Sequence, residues 1–170
     1  DGGAIAGQAG DSAGASVPVG WYGDGLVALP LLAGTSGGVA FGISADGRTC
    51  VGSSSLTRDT YQATRWGPSG PLSLGDLPGG TQACAAYAAS ADGSRVVGFA
   101  TTTAGEEAFL WTAASGMLRL QDVLADAGLG PQLAGWALNR AAGISYDGTR
   151  IAGYGTNPAG SGEAFLAVLP

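Results

Sequence analysis

Ser90-Ala91-Asp92-Gly93-Ser94-Arg95-Val96-Val97-Gly98 decides the fold, because the chain repeats it. It returns as Ser44-Ala45-Asp46-Gly47-Arg48-Thr49-Cys50-Val51-Gly52 and as Ser145-Tyr146-Asp147-Gly148-Thr149-Arg150-Ile151-Ala152-Gly153. The chain also opens inside the phrase, at Asp1-Gly2-Gly3-Ala4-Ile5-Ala6-Gly7. An Asp-Gly pair between alternating apolar residues is a strong hairpin signal, since both central residues of a type I′ turn take positive φ. Each copy therefore predicts strand, tight turn, strand.

The Asp-Gly pairs are spaced 45, 46 and 55 residues apart, and periods of about 40–50 residues mark repeat arrays such as propellers, with four short strands to a blade. The rest of the period agrees. A third strand follows each phrase, as Val17–Trp21, Gln62–Trp66, Glu107–Trp111 and Glu163–Ala167, and Trp21, Trp66 and Trp111 recur every 45 residues. A further turn (Asp24-Gly25, Ser69-Gly70, Ser115-Gly116) leads to a Leu-rich fourth strand, absent from the last copy, while the first copy lacks its first strand. The fold expected is all-β, a β-propeller-type array of four-stranded antiparallel repeats. Its units are a partial blade over 1–30, blades over 35–78 and 81–124, and a partial blade over 134–170, fourteen strands in one repeat domain. Ala40, Ala86 and Ala141 share one column and suit the crowded innermost strand. One short helix is expected near residues 122–127, with Asp122 as its cap, Val123, Leu124 and Ala127 on one face, and Gly128 at its C-terminal end.

Composition narrows the chemistry. At 170 residues the chain is one domain's worth, able to bury roughly 70% of its unfolded surface. Glycine fills 32 positions, consistent with many tight turns, and only 12% of residues are charged. No apolar run approaches the roughly 20 residues of a membrane span. The net charge of −6 argues against a nucleic-acid partner, which would need a basic stripe. The absence of His removes the commonest general base and transition-metal ligand. Low charge, no Lys and a Ser/Thr/Gly-rich surface suggest an exported protein, and the opening inside a repeat suggests a processed or truncated chain.

The pattern Ala-x-Gly-Ile-Ser-x-Asp-Gly-x-x-Ile-x-Gly, followed by Glu-Ala-Phe-x-Trp and Gly-Met-x-x-Leu, resembles the HAF-type repeats of bacterial extracellular proteins. Leu74-Gly75-Asp76-Leu77-Pro78-Gly79-Gly80 resembles the link between such repeats, and residues 120–170 resemble their closing unit. The likeness covers nearly the whole chain. It departs at Pro18 and Gly20, and at the missing Leu-Pro-Gly-Gly after Leu29. It implies a secreted, periplasmic or cell-surface repeat protein of propeller type, and it implies no activity.

Candidate sites have ordinary structural readings beside them. Asp1, Asp46, Asp92 and Asp147 would ring one end of the array, yet one carboxylate per blade does not gather the six to eight oxygens of a Ca²⁺ site, and turn geometry explains them; no metal or cofactor is expected. Trp21, Trp66 and Trp111 are the weak candidates for a ligand surface, as sugar-stacking rings, the alternative being packing between blades. The acids Asp11, Asp24, Asp59, Asp76, Glu106, Glu107, Asp122, Asp126 and Glu163 yield no convincing catalytic pair: Glu106 and Glu107 point to opposite strand faces, and Asp122 and Asp126 read as a solvated helix face. Without a His base or a Lys no catalytic residue is named. Cys50 lies in the apolar column of Ile5, Val96 and Ile151, Cys84 in that of Gly38 and Asn139, and a disulfide between them is compatible with the count. The expected function is a non-catalytic extracytoplasmic module, completed by a protein partner or a second copy. The rival is a carbohydrate-binding or glycan-processing propeller.

Overall fold

The computed structural model describes residues 3–12, 14–57 and 59–170. Four repeats follow one another along the chain. The first repeat is β1 (Ala4–Gly10), β2 (Ser16–Tyr22) and β3 (Gly25–Ala28); the second is β4 (Gly37–Ile43), β5 (Cys50–Ser55), β6 (Tyr61–Gly67) and β7 (Gly70–Ser73). The third is β8 (Gly80–Ala89), β9 (Arg95–Thr102), β10 (Gly105–Thr112) and β11 (Gly116–Arg119), and the fourth is β12 (Ala137–Ile144), β13 (Arg150–Thr156) and β14 (Gly162–Val168). Within each repeat successive strands pair antiparallel. The described residues form fourteen strands, the number the repeat predicts, and among them only the two middle repeats are four-stranded. They are joined into one eight-stranded sheet by a single parallel bridge, Tyr61 to Ala83.

The repeated phrase folds for a reason that differs from the expected type I′ turn. Asp46, Asp92 and Asp147 keep negative φ, and only Gly47, Gly93 and Gly148 are left-handed, at 71°, 67° and 73°. Each hairpin is a six-residue loop closed by the serine amide, as Ser44 to Thr49 (2.7 Å), Ser90 to Arg95 (2.9 Å) and Ser145 to Arg150 (2.8 Å). In each, the Asp Oδ1 accepts the Ser hydroxyl and the amide two residues on, while the Ser Oγ accepts the amide five residues on. Ser, Asp and Gly thus each hold one feature of the loop, an Asx-type device in place of a two-residue turn. The first copy's Asp1-Gly2 lies outside the described residues.

The glycine that ends the phrase has a different cause. Gly52, Gly98 and Gly153 sit opposite Ala40, Ala86 and Ala141 on the neighbouring first strand. The chains approach so closely that a Cβ would strike the preceding residue's carbonyl oxygen. Immediately after each Ala the register slips by one residue, leaving Phe41, Tyr87 and Ala142 as unpaired bulge residues. Bulges bend a strand and re-aim a side chain, and here they do so at one column in three repeats.

Three clusters fill the spaces between neighbouring sheets. Leu29, Ala40, Cys50 and Trp66 bury against the first repeat. Val51, Ala63, Leu74 and Leu77 meet Val96, Phe109, Trp111 and Met117 between the second and third repeats. Val97, Ala108 and Leu110 meet Leu138, Ile151 and Ala167 between the third and fourth. The helix α1 (Leu120–Leu124) caps this last cluster with Leu120 and Leu124. It starts two residues before the expected position, so Asp122 falls in its first turn; Arg119 precedes the helix and makes no side-chain cap. The chain runs on through a π-type turn over Ala125–Leu129, where Gly128 turns left-handed at φ 87°.

The array is open. Ile5 and Leu26 on the first repeat are 59% and 54% exposed, and Leu166 on the last is 67% exposed, so the four repeats do not close on themselves.

Candidate functional site

The first strands β4, β8 and β12 lie against one another, and their bulges bring together side chains far apart in sequence. The Phe41 ring meets Tyr87 edge-on, with centroids 5.4 Å apart, and Tyr87 tilts over Phe99 at 5.6 Å. The Arg140 guanidinium lies 4.2 Å above the Phe99 ring and donates to the Tyr87 hydroxyl at 3.3 Å. The Tyr154 ring centroid lies 5.9 Å from the same guanidinium. Phe41, Ser53, Ser55, Tyr61, Tyr87, Phe99 and Arg140 border a cavity of about 250 Å³.

Arg140 is fixed rather than free. Both its Nε and a terminal nitrogen donate to the Glu106 carboxylate, and the Glu106 carbonyl accepts the Asn139 side-chain amide at 3.1 Å. This two-point grip, the geometry that matches guanidinium to carboxylate, joins the third repeat to the fourth and raises the Arg140 pKa. Burial raises Tyr61 and Tyr87 as well, so both are neutral hydroxyls at ordinary pH. Phe41 and Tyr154 remain 48% and 46% exposed. What faces solvent is therefore an aromatic floor, edged by hydroxyls and braced by a neutralised ion pair. Such a surface recognises by shape, apolar area and hydrogen bonds.

The residues singled out from sequence lie elsewhere. Asp46, Asp92 and Asp147 do share one end of the array: the Asp46 amide donates to the Ala91 carbonyl and the Ala91 amide to that of Tyr146, both at 3.0 Å. Their carboxylates are directed into their own loops. The amide and hydroxyl of Ser94 with the Ser90 hydroxyl hold Asp92 down to about 2. The Ser145 hydroxyl, then the amide and hydroxyl of Thr149, do the same for Asp147, also to about 2. Asp1 lies outside the described residues, and among those described no three acidic or thiol side chains gather as a metal site would require.

Trp66 and Trp111 are buried, at 3% and 7% exposure, inside the inter-sheet clusters, whereas Trp21 is half-buried. Glu106 and Glu107 do face opposite ways, Glu106 to Arg140 and Glu107 to Arg119 at 3.1 Å. Asp76 accepts the amides of Leu77 and Gln82, shaping the Leu-Pro-Gly-Gly link. Asp122 and Asp126 stay on the solvent side of the helical segment, outside its buried face.

Cys50 and Cys84 are both free and buried, in different clusters, so the bridge considered between them is not formed. Cys84 belongs to the core, contrary to its column partners, and accepts the Ala63 amide at 3.2 Å. Cys50 lies 3.5 Å from the Tyr22 hydroxyl. Burial pushes the Cys84 thiol up to about 11 and raises Cys50.

Arg140, Phe41, Tyr87 and Tyr154 escape a reading of the sequence because a bulge and a contact between repeats create their neighbourhood. One signal was present: the position after the Ala column carries Phe41 and Tyr87, two large rings beside a column of small residues.

No family model matches the chain, and no curated protein does. Among solved structures it is similar to TolB from Acinetobacter baumannii, with a TM-score of 0.62 at 11% identity over 98% of this chain and 38% of that one. It is similar as well to a putative TolB from Agrobacterium tumefaciens, with a TM-score of 0.63 at 12% identity over 99% of this chain and 63% of that one. The chain thus spans less than two thirds of the length of either neighbour. At these identities the likeness establishes the fold, an all-β array of propeller-like sheets. Among the described residues no helix is long and apolar enough to cross a membrane.

Proposed function

We propose that this chain is a non-catalytic, extracytoplasmic interaction module of propeller type that presents the Phe41–Tyr87–Tyr154 surface to a protein partner. The observation that carries the reading is the coincidence of bulges. Two of the three aim a large aromatic at one shared centre, where Arg140 and Glu106 hold the rings in place. Aromatic side chains beside a fixed guanidinium are what protein interfaces favour at their centres. The sparse charge, the lack of Lys and the resemblance to HAF-type extracellular repeats support an exported, surface-associated role, and the propeller-like fold of the TolB neighbours supports a scaffold of this kind.

The test is site-specific photocrosslinking in cells that make the protein. A benzophenone-bearing residue in place of Phe41 gives discrete adducts in the extracytoplasmic fraction, and the same residue in place of Leu72, on another exposed face, gives none. Equal adducts at both positions, or a protein confined to the cytoplasm, would overturn the reading. Glycan-array binding lost in Trp21→Ala would favour the carbohydrate rival instead.

A further inference from the structure

The junctions between neighbouring repeats are built on equivalent positions, so their side chains can be compared place by place. Ser53 stands opposite Ala63, as Phe99 stands opposite Ala108 in the next repeat and Tyr154 opposite Ala164 in the last. Ala85 pairs with Phe99 on the first strand of the third repeat, as Arg140 pairs with Tyr154 in the fourth. Tyr61 lies opposite Ser55, as Glu106 lies opposite Thr101. At the junction of the third and fourth repeats these three places are filled. The Phe99 ring, 3% exposed, is covered by the Arg140 guanidinium, which Glu106 holds.

At the junction of the second and third repeats the same places carry Ser53, Ala85 and Tyr61. A ring is replaced by a hydroxymethyl group and a guanidinium by a methyl group. The space is the cavity of about 250 Å³, lined by all three residues. A cavity of about 150 Å³ already takes a benzene ring. The two repeats that form this junction are both four-stranded, so the cavity lies inside the array and not at its ends. Its polar groups are left over. Ser53, Ser55 and Tyr61 share one face of the second repeat as alternate and cross-strand neighbours, and among the described residues none of their hydroxyls has a hydrogen-bond partner. The Tyr87 hydroxyl oxygen accepts from Arg140, which leaves its own proton to donate elsewhere. Arg140, the one charged residue of the lining, is already bound to Glu106. An ionic side chain entering here would lose hydration without gaining a counter-charge, and an aliphatic one would leave the hydroxyls unmet. A ring that carries a hydroxyl satisfies both demands.

We propose that this cavity is a socket for one tyrosine side chain of the protein partner, seated where Phe99 sits at the next junction, with its hydroxyl among those of Ser53, Ser55 and Tyr61. The inference rests on the reading of the Phe41–Tyr87 surface as the partner surface, and it names the residue which that surface grips.

Titration of the full 170-residue chain with p-cresol, the tyrosine side chain alone, tests it, followed by amide NMR shifts. The native chain shows saturable shifts centred on Ser53, Tyr61 and Ala85. Ser53→Phe restores the ring found at this place in the later repeats, so it keeps the native melting transition and abolishes the shifts. Tyr61→Phe keeps the shape of the socket; it weakens p-cresol about fivefold, the worth of one neutral hydrogen bond, and leaves toluene binding unchanged. A native chain without saturable shifts overturns the proposal, as does Ser53→Phe that folds and binds p-cresol as the native chain does. Photocrosslinking separates the socket from the broader reading. Adducts from the benzophenone in place of Phe41 disappear in the Ser53→Phe background. Adducts that persist there undiminished overturn the socket and leave the partner surface standing, whereas their absence from the native background overturns both.

Discussion

The indole N–H of Trp66 donates to the backbone carbonyl of Pro30 at 2.7 Å, tying the core of the second repeat to the segment that leaves the first. Trp66→Ala removes a side chain buried to 3% exposure, and such large-to-small changes cost about 3–5 kcal/mol. Trp66→Phe keeps most of the apolar contact but strands the carbonyl, costing about 1–3 kcal/mol. Trp111→Ala matches the first substitution. Denaturant midpoints at constant slope measure all three, and an unchanged midpoint for Trp66→Ala would move the ring from core to surface.

Gly98 and Gly10 respond oppositely to alanine. A Cβ on Gly98 would lie 1.9 Å from the Ala85 carbonyl oxygen, whereas one on Gly10 meets nothing within 4 Å. Gly98→Ala therefore forces two paired strands apart, destabilising by roughly 3 kcal/mol or more. Gly10→Ala stabilises by about 0.4–1 kcal/mol through the unfolded chain, its φ being compatible. Paired thermal melts distinguish the two.

Acid weakens the loops over a defined window. Asp92 and Asp147 are held at about 2, below their ordinary 3.8, by hydrogen bonds to the ionised form. A depressed carboxyl contributes stability in full above its unfolded value and loses it as pH falls through the folded one. The melting temperature accordingly drops between about pH 4 and pH 2, and Asp92→Asn with Asp147→Asn flattens that drop. Melts at closely spaced pH values, with and without the two substitutions, check it.

The thiols titrate in the opposite sense. Burial raises Cys84 from 9.0 to about 11, so its contribution is complete below pH 9 and is lost as pH rises towards 11. In the native protein neither buried thiol reacts with a disulfide reagent at neutral pH, and both react once denaturant is added. Rapid native labelling of Cys84→Ser, which retains only Cys50, would show that the Tyr22 side of Cys50 opens to solvent.

The architecture was legible because each level of the sequence said the same thing. The Asp-Gly phrase, the Trp spacing and the Leu-rich fourth segments all mark one period, and each strand then needs only its immediate neighbour to pair. The turn conformation was not, since Asp46, Asp92 and Asp147 stabilise their loops by accepting side-chain and backbone hydrogen bonds from a serine two residues back and an amide two residues on. The helix began early because Leu120 and Leu124 have the cluster under the fourth repeat to fill, a tertiary demand that outranks a capping preference at Asp122. The aromatic centre was hidden for a further reason. Arg140 and Glu106 are 34 residues apart, and nothing in either strand's alternation announces that they meet.

The slipped register at Phe41, Tyr87 and Ala142 separates two jobs that most strand positions combine. These side chains have no opposite number in a hairpin ladder and belong to none of the three inter-sheet clusters. Phenylalanine, tyrosine and alanine are accommodated there on the same backbone. Side chains at these positions are thus spared from both ladder pairing and inter-sheet packing, so two of them, Phe41 and Tyr87, are left to meet one another across the repeats, while the serine, aspartate and glycine of each loop keep the backbone the same.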